Sequence, residues 1–135
     1  MSTVLADIKT IKNPIYQAFR ILWLGYTVAP IVAGLDKFTN FLVNWEKYLA
    51  PIVANVIPAG VFMRTVGIVE IAAGILVAVK PKIGGLVVGV WLLGIVMNLL
   101  LIPGYYDVAL RDFGLSLGAF ALARLGLAFD TGKNV

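Results

Sequence analysis

The sequence predicts an all-α membrane protein, a four-transmembrane-helix bundle with an interfacial amphipathic helix between spans one and two. Three observations lead there. Hydrophobic residues make up 61% of the chain and charged residues 13%, whereas soluble domains carry about 25% charged residues. The apolar residues fall into four stretches, each long enough at ~1.5 Å per residue to cross a ~30 Å hydrocarbon layer. Between the first two stretches the pattern turns amphipathic. The length of 135 residues fits one membrane domain over residues 1–135, with no internal repeat.

Met1 to Asn13 is polar, with Lys9 and Lys12, and Pro14 suits the first position of a helix. Residues 15–35 form the first expected span. Val32-Ala33-Gly34 would also suit the end of a signal peptide, but the stretch reads as a retained span. Gly25, Ala29 and Ala33 give it a row of small residues for close helix contact, and Pro30 is expected to kink it.

Residues 36–58 are too polar to span. Phe38, Phe41, Leu42, Trp45, Tyr48, Leu49 and Ile52 recur at helical spacing, which predicts a helix lying in the interface and broken at Pro51.

Residues 61–79 are the second span, and Glu70 sits at its middle. A charged side chain at that depth costs about 2.5–3.5 kcal/mol on insertion scales, so it should face protein rather than lipid. Gly67 and Gly74 share its helix face. Lys80-Pro81-Lys82 makes a basic turn into the third span, residues 83–102, which has no charge and carries Gly85, Gly89, Gly94 and Asn98. Pro103-Gly104 turns the chain, and Tyr105 and Tyr106 suit the headgroup level. Residues 108–128 are the fourth span, with Arg111, Asp112, Gly114, Ser116, Gly118 and Arg124.

Orientation follows from the basic residues. With the N-terminus in the cytoplasm, Lys9, Lys12, Arg20, Lys80, Lys82, Arg124 and Lys133 lie inside. Lys37, Lys47, Arg64 and Arg111 lie outside, so both termini are expected to be cytoplasmic.

Helix rise places polar groups by depth. Arg64, Asn98 and Asp112 lie about 4–6 Å below the outer end, with Lys37 just above. Glu70 lies at about 13 Å, level with Tyr26, Thr27 and Ser116. Two layers are therefore expected. In the outer one Arg64 pairs with Asp112, near Asn98 and Lys37. In the inner one Glu70 meets Ser116 or Thr27. These eight residues are the candidate polar network or ligand site. The outer layer can be read as an interhelical clamp, or as a place for a lipid headgroup or a quinone carbonyl. Glu70 can be read as a protonated carboxyl donating to Ser116, Thr27 or a carbonyl, or as a proton-relay or ligand-binding acid.

The chain contains no histidine and no cysteine. That excludes thiol chemistry, a histidine base, iron–sulfur ligation and the usual zinc sets. No metal site is expected, and Glu70 and Asp112 differ too much in depth to share one. No catalytic residue set is expected either. There is no basic run, so nucleic-acid binding is not expected.

With these residues in hand, the chain resembles the DoxX-like family of small four-span membrane proteins. The likeness lies in Gly34-Leu35-Asp36-Lys37-Phe38, in the Gly67, Glu70 and Gly74 spacing, and in Arg111-Asp112-Phe113-Gly114-Leu115. It covers roughly residues 15–126. It implies a bundle in the bacterial or archaeal cytoplasmic membrane, with Lys37, Glu70 and Arg111/Asp112 as family-type polar residues. Some relatives are membrane subunits of thiosulfate:quinone oxidoreductase. Two roles follow as expectations: a non-catalytic accessory or anchoring subunit of a membrane assembly, in contact with a membrane-protein partner or its own copies, or a quinone- or lipid-binding component of an oxidoreductase system. Transport of a small solute is a weaker third, because internal duplication is absent. Quinone is the one cofactor left open.

Overall fold

A computed structural model of the protein describes residues 13–129. It has four long helices: α1 (Pro14–Asp36), α3 (Ala59–Val79), α4 (Pro81–Leu100) and α5 (Tyr106–Phe129). All four are long and apolar enough to cross a membrane. Between α1 and α3 the chain forms a 3-10 turn, Trp45–Tyr48, and one α-helical turn, α2 (Pro51–Ala54). The longer interfacial helix read from the sequence is thus two short pieces, and Pro51 opens the second rather than breaking a first. Lys9, Lys12 and Lys133, used in the orientation argument, lie outside the described residues.

Local chemistry sets the helix ends. The Asn13 side chain accepts from the Ile15 amide at 2.8 Å, and Pro14 follows at the first position, where its missing N–H costs nothing. Pro30 lies inside α1, so the Tyr26 carbonyl receives no amide hydrogen from it. Pro81 opens α4 directly after Lys80. That turn is tight because Gly84 has no side chain: a Cβ there would stand 2.5 Å from the Val77 backbone. Gly104 has φ +101, a conformation glycine adopts without strain, and it turns the chain from α4 toward α5.

The helices form a ring: α1 packs on α3, α3 on α4, α4 on α5, and α5 on α1. Glycines bring the backbones together. A Cβ on Gly34 would lie 2.5 Å from the Gly67 carbonyl, and one on Gly74 2.8 Å from the Thr27 carbonyl. Between α4 and α5, Gly85 faces Ala119 and Ala123, and Gly89 takes the Phe120 ring. Two apolar clusters fill the bundle. One holds Phe19, Val77, Val88, Ala119 and Leu122. The other, toward the connector, holds Ala50, Leu99, Ile102 and Ala109.

The glycine contacts also set the α1 register. Gly34 meets Gly67, Thr27 meets Gly74, and the Trp23 indole donates to the Ala78 carbonyl at 3.2 Å. Thr27 was expected level with Glu70. It lies at Gly74 instead, four residues or about 6 Å along the helix. The expected α1 contact row is also different. Gly25 has no neighbour within 4 Å of a built Cβ, and Ala29 is exposed, while Gly34 makes the close approach.

Candidate functional site

The slide of α1 brings Lys37 down to Glu70. The Lys37 amide caps α1 by donating to the Ala33 and Gly34 carbonyls. Its Cβ lies over Gly67, where a side chain would collide. From there the side chain runs along α3 and ends with Nζ 2.6 Å from Glu70 Oε1. Both side chains are nearly sealed, at 5% and 12% exposure. At that distance the ammonium and the carboxylate form an ion pair. In a low-dielectric surrounding such a contact is strong, and each charge is costly without the other.

Trp45 covers the pair. The Lys37 ammonium lies 3.7 Å from the centre of the Trp45 ring, a cation–π contact. The indole N–H donates to Asp36 Oδ2 at 2.8 Å. Asp36 also accepts from the Thr39 hydroxyl at 3.0 Å and from the backbone amides of Phe41 and Leu42 at 3.0–3.1 Å. Asn40 completes the turn with φ +53, a left-handed conformation that asparagine tolerates better than most residues. One carboxylate thus folds the connector, and the connector places an aromatic face on the buried cation.

From the far side, Trp91 of α4 brings its indole nitrogen beside the Glu70 carboxylate. That nitrogen is buried without a hydrogen-bond partner among the described residues, and so is Thr27 Oγ1. Asp112 of α5 is close enough for its charge to act on Glu70.

The other predicted site residues are placed differently from expectation. Asp112 pairs with its neighbour Arg111, Nε to Oδ1 3.5 Å, and not with Arg64. Arg64 is exposed. Ser116 is fully buried but donates to the Phe113 carbonyl at 2.6 Å, one turn back in its own helix, rather than to Glu70. Tyr26 donates to the Leu115 carbonyl and sits against Gly118, tying α1 to α5. Asn98 accepts from the Ala50 amide at 2.9 Å and donates to the Tyr48 carbonyl at 2.6 Å, so it pins the connector to α4. The two expected layers are therefore one: Lys37 and Glu70 meet, and Asp112 stands nearby.

Sequence reasoning gave no site role to Trp45, Trp91 or Asp36. Trp91 carried a usable signal, since an indole at mid-span needs an acceptor and the nearest acid in depth is Glu70. Trp45 and Asp36 carried none, because their link depends on a non-helical turn. The comparisons give this arrangement no precedent: no family model, no curated protein and no solved structure matches the chain.

Proposed function

We propose that the chain is a non-catalytic membrane subunit of the DoxX-like kind, an accessory or anchoring component of a larger assembly in a bacterial or archaeal cytoplasmic membrane. One observation carries this reading. Gly25 of α1, Gly94 of α4 and Gly114 of α5 all have nothing within 4 Å of a built Cβ. Small residues serve a membrane helix where another backbone comes close. These positions meet none of the described helices, and a neighbouring protein or a second copy is what they would accommodate. α1 fits the same role, since only Phe19, Gly34 and Asp36 of it are buried.

The test is affinity capture of the tagged chain from its native membrane in mild detergent, read by mass spectrometry. A membrane protein or a second copy should be recovered, and Gly25→Leu or Gly94→Leu should release it without changing thermal stability. Recovery of a monomer alone would overturn the reading.

A second reading is a quinone- or lipid-binding component. It is favoured by two buried polar groups, the Trp91 indole nitrogen beside Glu70 and the Thr27 hydroxyl near Gly74, that a ligand oxygen would engage. Lipid extraction of the purified protein decides it. A quinone or a single lipid species held in fixed ratio, and lost in Glu70→Gln, would support it. Bulk lipid only, unchanged in the variant, would overturn it.

A further inference from the structure

The geometry points to a proton-operated latch, in which protonation of Glu70 frees the Lys37 ammonium and lifts the Trp45 connector from the outer side of the bundle. This goes beyond the accessory-subunit reading and does not depend on it.

The connector is held at this point by side-chain contacts. Trp45 touches the bundle at two neighbouring residues: its N–H donates to Asp36 at the end of α1 at 2.8 Å, and its ring covers Lys37, whose ammonium lies between the indole face at 3.7 Å and the Glu70 carboxylate at 2.6 Å; only the second contact depends on Glu70. The aromatic face attracts a cation fixed beneath it. The cation stays at that depth because Glu70 holds it there; without an anion, a lysine near a helix end extends toward the aqueous interface. Uptake of one proton from the outer solution converts the carboxylate to a neutral acid. Lys37 keeps its own proton and is left as an unpaired buried charge. Its route out passes through the space occupied by the Trp45 ring.

The groups that face Glu70 make it responsive. α1 contributes Lys37, with Asp36 next to it in sequence. α4 contributes only the neutral Trp91 indole, and α5 contributes Asp112 with Arg111 as its partner. On α3 itself, Arg64 is exposed. Lys37 is thus the one cation in contact with Glu70 among the described residues. Asp36 holds the fold of the connector itself through its bonds to Thr39, Phe41, Leu42 and Trp45. Asn98 holds its other end through Tyr48 and Ala50. The amides of residues 37–42 are bonded to the end of α1, so the expected motion is an outward swing of residues 43–47 between the Asp36 turn and the Asn98 clamp.

Hydrogen–deuterium exchange of the protein in lipid nanodiscs, corrected for the intrinsic pH dependence of exchange, tests the latch. Wild-type protein should lose protection across residues 43–48 as the pH falls, while the Asp36 turn, α3 and α4 stay protected. Glu70→Gln should show that loss at neutral pH, at least tenfold faster than wild type, although Asp36 remains ionised. Glu70→Asp, which keeps the charge, should retain protection at neutral pH. If wild type keeps its protection down to pH 4 while folded, or if a folded Glu70→Gln protects the connector as wild type does, the latch is wrong. If Glu70→Gln does not fold, the wild-type pH series decides alone, with Asp36→Asn as the control for loss of the turn itself.

Discussion

At the scale of single residues, Lys37 and Glu70 form the one ion pair among the described residues whose two side chains are both enclosed. Removing one strands the other, and a stranded buried charge costs about 3–5 kcal/mol, whereas replacing both with apolar residues of similar volume is often neutral or stabilising by about 1–4 kcal/mol. Glu70→Ala should therefore lower stability by that first amount. Lys37→Met combined with Glu70→Leu should recover most of it. Chemical or thermal unfolding in detergent measures both. A single variant within about 1 kcal/mol of wild type would mean that water screens the pair after all. The double variant has a second use, because it should keep its stability and yet lose any pH response of the connector. Asn98 makes a smaller claim of the same type. Its amide bridges the Ala50 N–H and the Tyr48 carbonyl. Truncation to alanine leaves both groups short of a partner, at about 1–3 kcal/mol for a buried unsatisfied group.

At the scale of elements, the glycines divide into two sets that substitution should separate. Gly34 and Gly67 face each other's carbonyls at 2.5 and 2.7 Å from a built Cβ, and carbonyls of two packed helices cannot yield cheaply. Gly34→Ala or Gly67→Ala should push α1 off α3, costing about 1–3 kcal/mol, as overpacking does. Gly25→Ala and Gly94→Ala meet open space. They should leave the isolated bundle unchanged or raise its stability by about 0.5–1 kcal/mol through helix propensity. The same unfolding measurement ranks all four, and a reversed order would refute the α1–α3 register. That register also explains what could be read from the sequence. The four helices were legible because apolar length is a one-dimensional signal, and their ends follow Pro14, Pro81 and Gly104. Glu70 and Lys37 were legible as unusual groups, but their meeting was not. Counting residues from the helix ends assumes that all helices begin level, and the Gly34–Gly67 contact displaces α1 along its axis. The same assumption joined Arg64 to Asp112 on depth alone, although Arg111 was the nearer cation along the chain. The connector was illegible as a turn because its bonds converge on the Asp36 side chain, and such convergence has no periodic signature.

At the scale of the whole molecule, orientation in the bilayer rests on charges that the bundle itself does not balance. By position in the sequence, seven basic residues are expected on the side of the termini and four on the other. Of the four, Lys37 is enclosed with Glu70 and Arg111 contacts Asp112. Among the described residues the count is level, with Arg20, Lys80, Lys82 and Arg124 against Lys37, Lys47, Arg64 and Arg111. The asymmetry therefore comes from Lys9, Lys12 and Lys133, and basic residues close to a span end are the ones that set topology. Because the chain has no cysteine, an introduced one is the sole thiol in the molecule. In intact cells or right-side-out vesicles, Asn55→Cys in the connector and Pro103→Cys in the α4–α5 turn should react with a membrane-impermeant maleimide. Lys82→Cys in the first turn of α4 should react only after the membrane is opened. Replacing Lys9 and Lys12 with glutamine should weaken this preference and give a mixed population, with both classes of site partly labelled. Labelling of Lys82→Cys in sealed vesicles, with protection of Asn55→Cys and Pro103→Cys, would invert the molecule. It would also move the Trp45 connector, and the face from which Glu70 could take up a proton, to the cytoplasmic side.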